Sequence, residues 1–281
     1  MAGTLFVVAT PIGNLEDITL RALRVLRESD VVAAEDTRRT ARLLAHHAIT
    51  TPTLSFHEHN TRSRMPQILA RLEGGESIAL VTDAGTPGIS DPGVELVRAC
   101  INRGIPVDPI PGASAPLTAA IASGFPLEPL TIFGFAPARA KDRKAWLREA
   151  ASVRHTFTFF EAPHRITGTL SDMREIFGER PIMVGRELTK LHQELISGSS
   201  LSFIGRMPAT RGEFTIVVGP AQDLTSGTEP TSDDDIVGEF GRITDGGGGS
   251  RRAAISTLAR KHGRTSRDVY AIIERFKKSG K

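Results

Sequence analysis

"VTDAGTPGISDPG", residues 81–93, completes the apolar run that begins at Ile78 and carries three glycines, two prolines and two aspartates without a single lysine or arginine. A short apolar run ending in a Gly/Pro-rich stretch reads as a buried strand passing into a tight loop. The glycines at 85, 88 and 93 fit neither G-x-x-x-x-G-K-[ST] nor G-x-G-x-x-G, and no lysine is present to hold a polyphosphate. Asp83 suits a ligand with a positive centre, and Gly85 and Gly88 let the backbone approach it closely. S-adenosylmethionine, with its sulfonium and ammonium, meets that description. Asp91, ahead of Pro92 and Gly93, reads as the cap of the following helix.

The same rhythm extends along the chain. Strands are expected near residues 4–9, 30–34, 53–56, 77–82 and 105–110, with helices between them, one of which places Ile18, Ala22, Val25 and Leu26 on a single face. A second set lies near 131–135, 155–161, 181–187 and 214–218, with a charged helix over 141–151 and another after Pro163. The alternation predicts α/β architecture with mainly parallel sheet covered by helices, in an N-terminal lobe over 1–124 and a C-terminal lobe over 125–219. Ligands of such sheets sit at the carboxyl ends of the strands.

Composition bounds the rest. With 40% apolar and 24% charged residues the chain is globular in type, and no run approaches the ~20 apolar residues of a membrane helix. The N-terminus reads as a first strand, not a secretion signal. Cys100 is the single cysteine, which excludes an internal disulfide or a cysteine-based zinc site and fits a reducing cytoplasm. His57 and His59 flank Glu58 without a third ligand in sequence, so no metal is expected. Charge is segregated: residues 220–249 hold seven acids against Arg242, and 250–281 hold ten Lys/Arg against Asp268 and Glu274. The first segment reads as a flexible acidic and Gly-rich linker. The second reads as a basic two-helix extension, with Ser250 and Ser266 as caps, Gly263 as a stop, and Val269, Ile272, Ile273 and Phe276 on one face. A helix-turn-helix fragment contacting phosphates and a solvated basic tail are both consistent with it.

Seven stretches carry a resemblance: "ATPIGNLEDITLRAL" (9–23), "AAEDTRRT" (33–40), "SFHEHN" (55–60), "TDAGTPGISDPG" (82–93), "PIPGASA" (109–115), "FFEAPHRI" (159–166) and "GRELTK" (185–190). Together they resemble the bacterial 16S ribosomal RNA cytidine 2'-O-methyltransferases of the tetrapyrrole methylase superfamily. Ala162 and Thr82 stand where that family usually has serine; neither change removes a charge. The resemblance implies a two-lobed class III methyltransferase fold, S-adenosylmethionine as cofactor, 16S ribosomal RNA within the small subunit as substrate, a decoding-centre cytidine as target, a homodimer and no membrane association. Carried over by motif, the cofactor site comprises Pro11, Asp83, Ala84, Gly85, Ile89, Ser114, Ala115 and Phe160. Ser114 also reads as the N-cap of a helix over 115–123, Pro11 as a strand terminator and Phe160 as core.

A ribose hydroxyl is a poor nucleophile while protonated, so a base or a cation that stabilises the developing alkoxide belongs near it. Acidic and basic residues at strand ends are the candidates: Glu35, Asp36, His57, Glu58, Glu161, His164, Arg165, Arg186, Glu187 and Lys190. Of these, Glu161, Glu187 and Lys190 are taken as catalytic, and Arg165 and Arg186 as RNA-binding together with Arg251, Arg252, Arg260, Lys261, Arg264 and Arg267. A salt-bridge network between lobes explains the same residue types equally well. Tetrapyrrole C-methylation and a non-catalytic role in ribosome assembly stay open as alternatives; the basic extension speaks against the first.

Overall fold

The computed structural model describes residues 2–88, 93–203, 211–221, 233–245, 251–262 and 264–278. Two compact units comprise residues 1–221 and 222–281. In the first, β1 (Leu5–Val8), β2 (Val31–Ala34), β3 (Thr53–Ser55), β4 (Ile78–Val81) and β5 (Val107–Ile110) form a parallel sheet in the order β3-β2-β4-β1-β5. The strands alternate with α1 (Leu20–Glu28), α2 (Thr37–His46), α3 (Thr61–Glu73) and α4 (Val94–Asn102), and α5 (Ala115–Ser123) follows β5.

Because successive strand residues face opposite sides, nearly continuous apolar strands are buried on both. Leu5, Val31, Ala33, Ile78 and Leu80 pack with Ile68, Leu72, Leu96 and Cys100, from α3 and α4. Val8, Val32, Ala34, Ala79 and Val81 pack with Ala22, Val25 and Leu26 of α1. Helix starts are set by short polar side chains: the Thr19 hydroxyl accepts from Ala22 N at 3.1 Å, and Asp36 Oδ1 accepts from Arg38 N at 2.8 Å.

The second sheet comprises β6 (Leu130–Phe135), β7 (Thr156–Glu161), β8 (Pro181–Arg186), β9 (Glu194–Ser199) and β10 (Phe214–Val218), ordered β6-β7-β10-β8-β9. It departs from the parallel expectation. Only β6 and β7 are parallel, while β10 runs antiparallel to β7 and β8, and β9 antiparallel to β8. No strand was expected over 194–199, where Ser-Gly-Ser masks the alternation of an edge strand. Helices α6 (Ala140–Ala150) and α7 (Ile166–Phe177) cover one face through Leu147, Leu170 and Met173. The opposite face meets α5, so that Met183 and Val217 join Ile12, Ala119 and Leu188 in a core shared by the two sheets.

Arg180 fastens the far end of this second sheet. Its guanidinium is buried and donates to the carbonyls of Gly219 (2.8 Å), Val153 (2.7 Å) and His155 (3.1 Å), with its carbon 5.0 Å from the Phe157 ring centroid. Burial pushes its pKa down to about 10, with the nearby Arg154 adding to the effect. Arg180→Met keeps the stem but leaves those carbonyls without their donor, an expected loss of about 2–4 kcal/mol. Thermal denaturation is expected to show a melting temperature lower by about 5–15 °C; an unchanged melting temperature would contradict the clamp.

In the second unit, α8 (Asp233–Asp245), α9 (Arg251–Lys261) and α10 (Ser266–Lys278) share a core of Ile236, Phe240, Ala254, Leu258, Val269, Ile272 and Ile273. The linker expectation over 220–249 is therefore corrected at 233–245. Ile236, Phe240 and Ile243 recur at i, i+4 and i+7, and the three aspartates of the first turn suit the positive end of the helix dipole. The cap of α10 is Thr265, not Ser266: its hydroxyl accepts from Asp268 N (3.1 Å) while Asp268 Oδ2 accepts from Thr265 N (3.2 Å), a reciprocal capping box. Ser250 and Gly263 lie outside the described residues, as do 222–232 and 246–249. No described helix is long and apolar enough to cross a membrane.

Candidate active site

Loops at the carboxyl ends of β1, β2 and β4 meet a turn from the second sheet. Thr10 and Gly85 exchange backbone hydrogen bonds of 2.9 and 3.0 Å, which holds the β1 and β4 loops side by side. Gly85 does so at φ +81°, a conformation that demands glycine although a Cβ there would meet nothing closer than 3.5 Å. Asp83 is thereby presented inward. Its Oδ1 accepts from Asp36 N at 3.0 Å, its Oδ2 pairs with Arg39 Nη1 at 3.2 Å, and its own amide donates to Glu35 Oε2 at 3.2 Å. Burial raises the pKa of Glu35 and the Asp83 charge adds to that rise, although the Asp83 amide, Arg39 and His57 oppose it.

These groups border a cavity of about 220 Å³. Its polar lining includes Glu35, Asp83, Ser114, Glu213 and Thr215, its apolar walls are Ile12, Phe135, Phe160 and Leu188, and Arg39 is its only basic lining residue among those described. Phe135 and Phe160 pack ring against ring at 5.3 Å. Ser114 stands at the N-cap of α5, yet its hydroxyl caps nothing: Oγ is buried with no hydrogen-bond partner among the described residues. A buried orphan hydroxyl at a helix start, where amide donors point outward, suits an anionic group such as a ligand carboxylate. Asp83, Ala84, Gly85, Ser114, Ala115 and Phe160 all line this cavity. Pro11 lines an adjoining one, and Ile89 lies outside the described residues.

The adjoining cavity, about 240 Å³, shares Ile12, Arg39, Asp83, Ala84 and Glu213 with the first, so the two form one cleft. Lys190 closes it. The Lys190 ammonium lies 2.9 Å from Glu187 Oε1 and 3.2 Å from Glu213 Oε2, and Glu187 Oε1 also accepts from Glu213 N at 2.9 Å. Burial works against the charge on Glu187, but Lys190 and the Glu213 amide outweigh it and hold the carboxyl below the ordinary glutamate range. Burial likewise works against Lys190, but its two carboxylate partners raise its pKa. Glu187 and Thr189 take left-handed φ values of +50° and +66°, costly for residues other than glycine and often found where a site imposes geometry. Thr189 Oγ1 accepts from Asn14 N at 3.0 Å, and a Cβ on Gly13 would sit 2.5 Å from Lys190 Cγ, so this turn presses against the β1 loop.

Other expected site residues are engaged elsewhere. Glu161 is buried away from the cavities, accepting from Thr169 Oγ1, from Ala162 N and from Arg165 Nη2 at 2.7 Å. That pair anchors the start of α7 and engages Arg165 within the second sheet's own fold. Arg186 lies opposite Glu194 across β8 and β9, pairing with it at 2.9 Å and donating to the Arg211 carbonyl. In the second unit Arg251 pairs with Glu274 and lies over the Tyr270 ring, and Arg264 pairs with Asp233 at 3.0 Å. Arg252 and Arg267 are exposed, while the side chains of Arg260 and Lys261 lie outside the described residues. Glu213 and Arg39 enter the cleft without having been singled out; Glu213 precedes a strand instead of following one.

A parallel α/β lobe joined to a mixed lobe, with a cleft at the strand ends that is acidic in one half and cationic in the other, is the architecture of a methylase class. A model of the Tetrapyrrole (Corrin/Porphyrin) Methylases matches residues 4–201, and the chain belongs to that family. It is 48% identical over 218 residues to ribosomal RNA small subunit methyltransferase I of Halalkalibacterium halodurans, covering 77% of this chain and 75% of that one. It is 41% identical over 271 residues to the protein of the same name from Streptococcus pyogenes serotype M3, covering 96% and 94%. Uroporphyrin-III-C-methyltransferase from Thermus thermophilus shares the fold at 22% identity, with a TM-score of 0.55 over 77% of this chain and 94% of that one.

Proposed function

We propose that the chain methylates the ribose 2'-hydroxyl of a decoding-centre cytidine in 16S ribosomal RNA, using S-adenosylmethionine, within the small subunit and in the cytoplasm. The observation that carries this reading is a single cleft with an acidic, aromatic-walled half beside a half lined by cations. Asp83 and Glu35 suit the positive centres of the cofactor, Ser114 and the start of α5 suit its carboxylate, and Ile12, Phe135, Phe160 and Leu188 suit its purine. The names of the two bacterial relatives support ribosomal RNA as acceptor.

S-adenosylmethionine, when bound, supplies an electrophilic methyl group on a sulfonium. The chain's own contribution is to align the acceptor hydroxyl and manage its proton. Lys190 stays protonated at neutral pH because Glu187 and Glu213 raise its pKa; it therefore serves as a cation beside the developing alkoxide and not as a base. Glu213, which borders both halves of the cleft, takes the hydroxyl proton as the oxygen gains its methyl, and returns it to solvent. Glu187 positions Lys190.

Two further assignments belong to this reading. Leu117 and Ile121 recur at i, i+4 on the outer side of α5, with Ile121 73% exposed, which favours burial against a second copy in a homodimer. Arg252 and Arg267, exposed and without an ion pair among the described residues, offer charge for RNA phosphates. Sedimentation at twice the chain mass tests the dimer.

Small subunits from cells lacking the protein, incubated with it and labelled S-adenosylmethionine, are expected to gain one 2'-O-methyl group on a cytidine. Label on a base, or none on ribosomal RNA, would overturn the assignment. In the same assay Arg252→Ala with Arg267→Ala is expected to weaken subunit binding and lower its salt slope by about 1.4, about 0.7 per lost phosphate contact, with cofactor affinity unchanged.

A further inference from the structure

The two halves of the cleft differ in charge. The 220 Å³ half sets Glu35, Asp83 and Glu213 against Arg39 alone, whereas the 240 Å³ half sets Arg39, Arg42 and Lys190 against Asp83 and Glu213. The excess cation of the second half comes from α2. Arg39 and Arg42 lie three residues apart and so on one face of that helix. Arg39 has Asp83 as its ion-pair partner, while Arg42 is exposed and has no ion pair among the described residues. Thr82, 2% exposed and lining the same half, keeps its Oγ1 buried without a hydrogen-bond partner among the described residues. A guanidinium without an ion pair and a hydroxyl without a hydrogen bond among the described residues, both lining one cavity half, are groups that an oxyanion can engage.

We propose that this half of the cleft seats the backbone phosphate next to the reacting ribose, with Arg42 and Arg39 as its charged ligands and the Thr82 hydroxyl as a further donor. The inference rests on the RNA 2'-O-methylation reading and adds to it residues from the N-terminal lobe, far in sequence from the basic extension. A cavity of about 240 Å³ is on the scale of one ribose and its phosphate and not of a duplex, so the acceptor strand would enter as a single splayed nucleotide. Arg39, which borders both halves, would hold the phosphate in a fixed position relative to the cofactor site. Lys190, contributed to the same half by the turn after β8 and not by α2, would then be left to face the hydroxyl.

Arg42→Ala and Arg42→Lys in the full chain test this. Alanine at an exposed helical position leaves the fold intact, so the melting temperature is expected to hold. Filter binding of unmethylated small subunits without cofactor is expected to weaken about tenfold for Arg42→Ala, with the slope of log affinity against log salt falling by about 0.7. Arg42→Lys is expected to keep the slope, because it keeps the charge. Calorimetric affinity for S-adenosylmethionine is expected to stay within twofold for both. If wild-type protein methylates subunits while Arg42→Ala matches it in affinity and slope, the phosphate seat is wrong and the RNA reading stands. If wild-type protein transfers no methyl to subunits, the RNA reading falls and the seat falls with it.

Discussion

Asp83→Ala is expected to weaken S-adenosylmethionine binding by about 30-fold to several thousand-fold, read by titration calorimetry. Two effects combine. The carboxylate that suits the cofactor's positive centres is removed, and Arg39, 3.2 Å from it, is left as an uncompensated cation in the same cavity. The pair that counts is the one Asp83 makes with the bound cofactor, since its pair with Arg39 is largely exposed; truncating one partner of a charge pair buried between protein and ligand costs about 2–5 kcal/mol, which spans the range given. Asp83→Asn separates charge from scaffold, since its amide oxygen still accepts from Asp36 N and keeps the loop in place. It is expected to lose most of the same affinity while melting like the wild type. An alanine variant that binds within threefold of wild type would remove Asp83 from the cofactor site. Acidification supplies a related readout. Because burial raises the pKa of Glu35, its charge is lost while pH is still above the ordinary glutamate value of 4.5, and cofactor affinity is expected to begin falling there.

The loop that bears Asp83 was legible because its composition allows few structures. A strand must end before it, left-handed glycines must shape it, and the lone charge in its first half has no local partner. The start of α5 was legible for similar reasons, although the Ser114 hydroxyl is free of the capping role its position suggests. Glu161 was misplaced for a reason the sequence does contain. Neighbouring residues on a strand face opposite sides, so if Phe160 lines the cleft, Glu161 points into the helix-covered core. Glu213 and Arg39 were hidden because their roles arise only when distant segments converge: Glu213 precedes β10, and Arg39 lies in the first turn of α2. The helix at 233–245 was obscured by its own acidic first turn, which looks like a solvated run until Ile236, Phe240 and Ile243 are placed on a common face. Charge density alone does not separate a linker from a helix start.

The second large effect is expected at Lys190. With S-adenosylmethionine and small subunits saturating, Lys190→Ala is expected to turn over about 100- to 1,000-fold more slowly, the range found when one preorganised donor to a developing oxyanion is removed. Cofactor affinity is expected to change little, because Lys190 lines the second half of the cleft and not the first. The substitution also leaves Glu187 and Glu213 without their shared cation, so Lys190→Gln is the necessary companion: it retains a hydrogen-bond donor for the turn but no charge. If the charge is what matters, both variants lose rate alike and the turn keeps its stability in the glutamine variant. If Lys190 only braces the left-handed turn, the glutamine variant recovers most of the rate. The pH profile gives an independent answer. A lysine acting as base would gain activity steeply as pH rises toward its raised pKa, whereas a lysine acting as cation gives a rate that is level across neutral pH. That rate declines only when acid protonates Glu187, whose carboxyl is held below the ordinary glutamate range, or alkali removes the lysine's own proton. A steep rise through neutral pH that disappears in the alanine variant would therefore reverse the roles of Lys190 and Glu213.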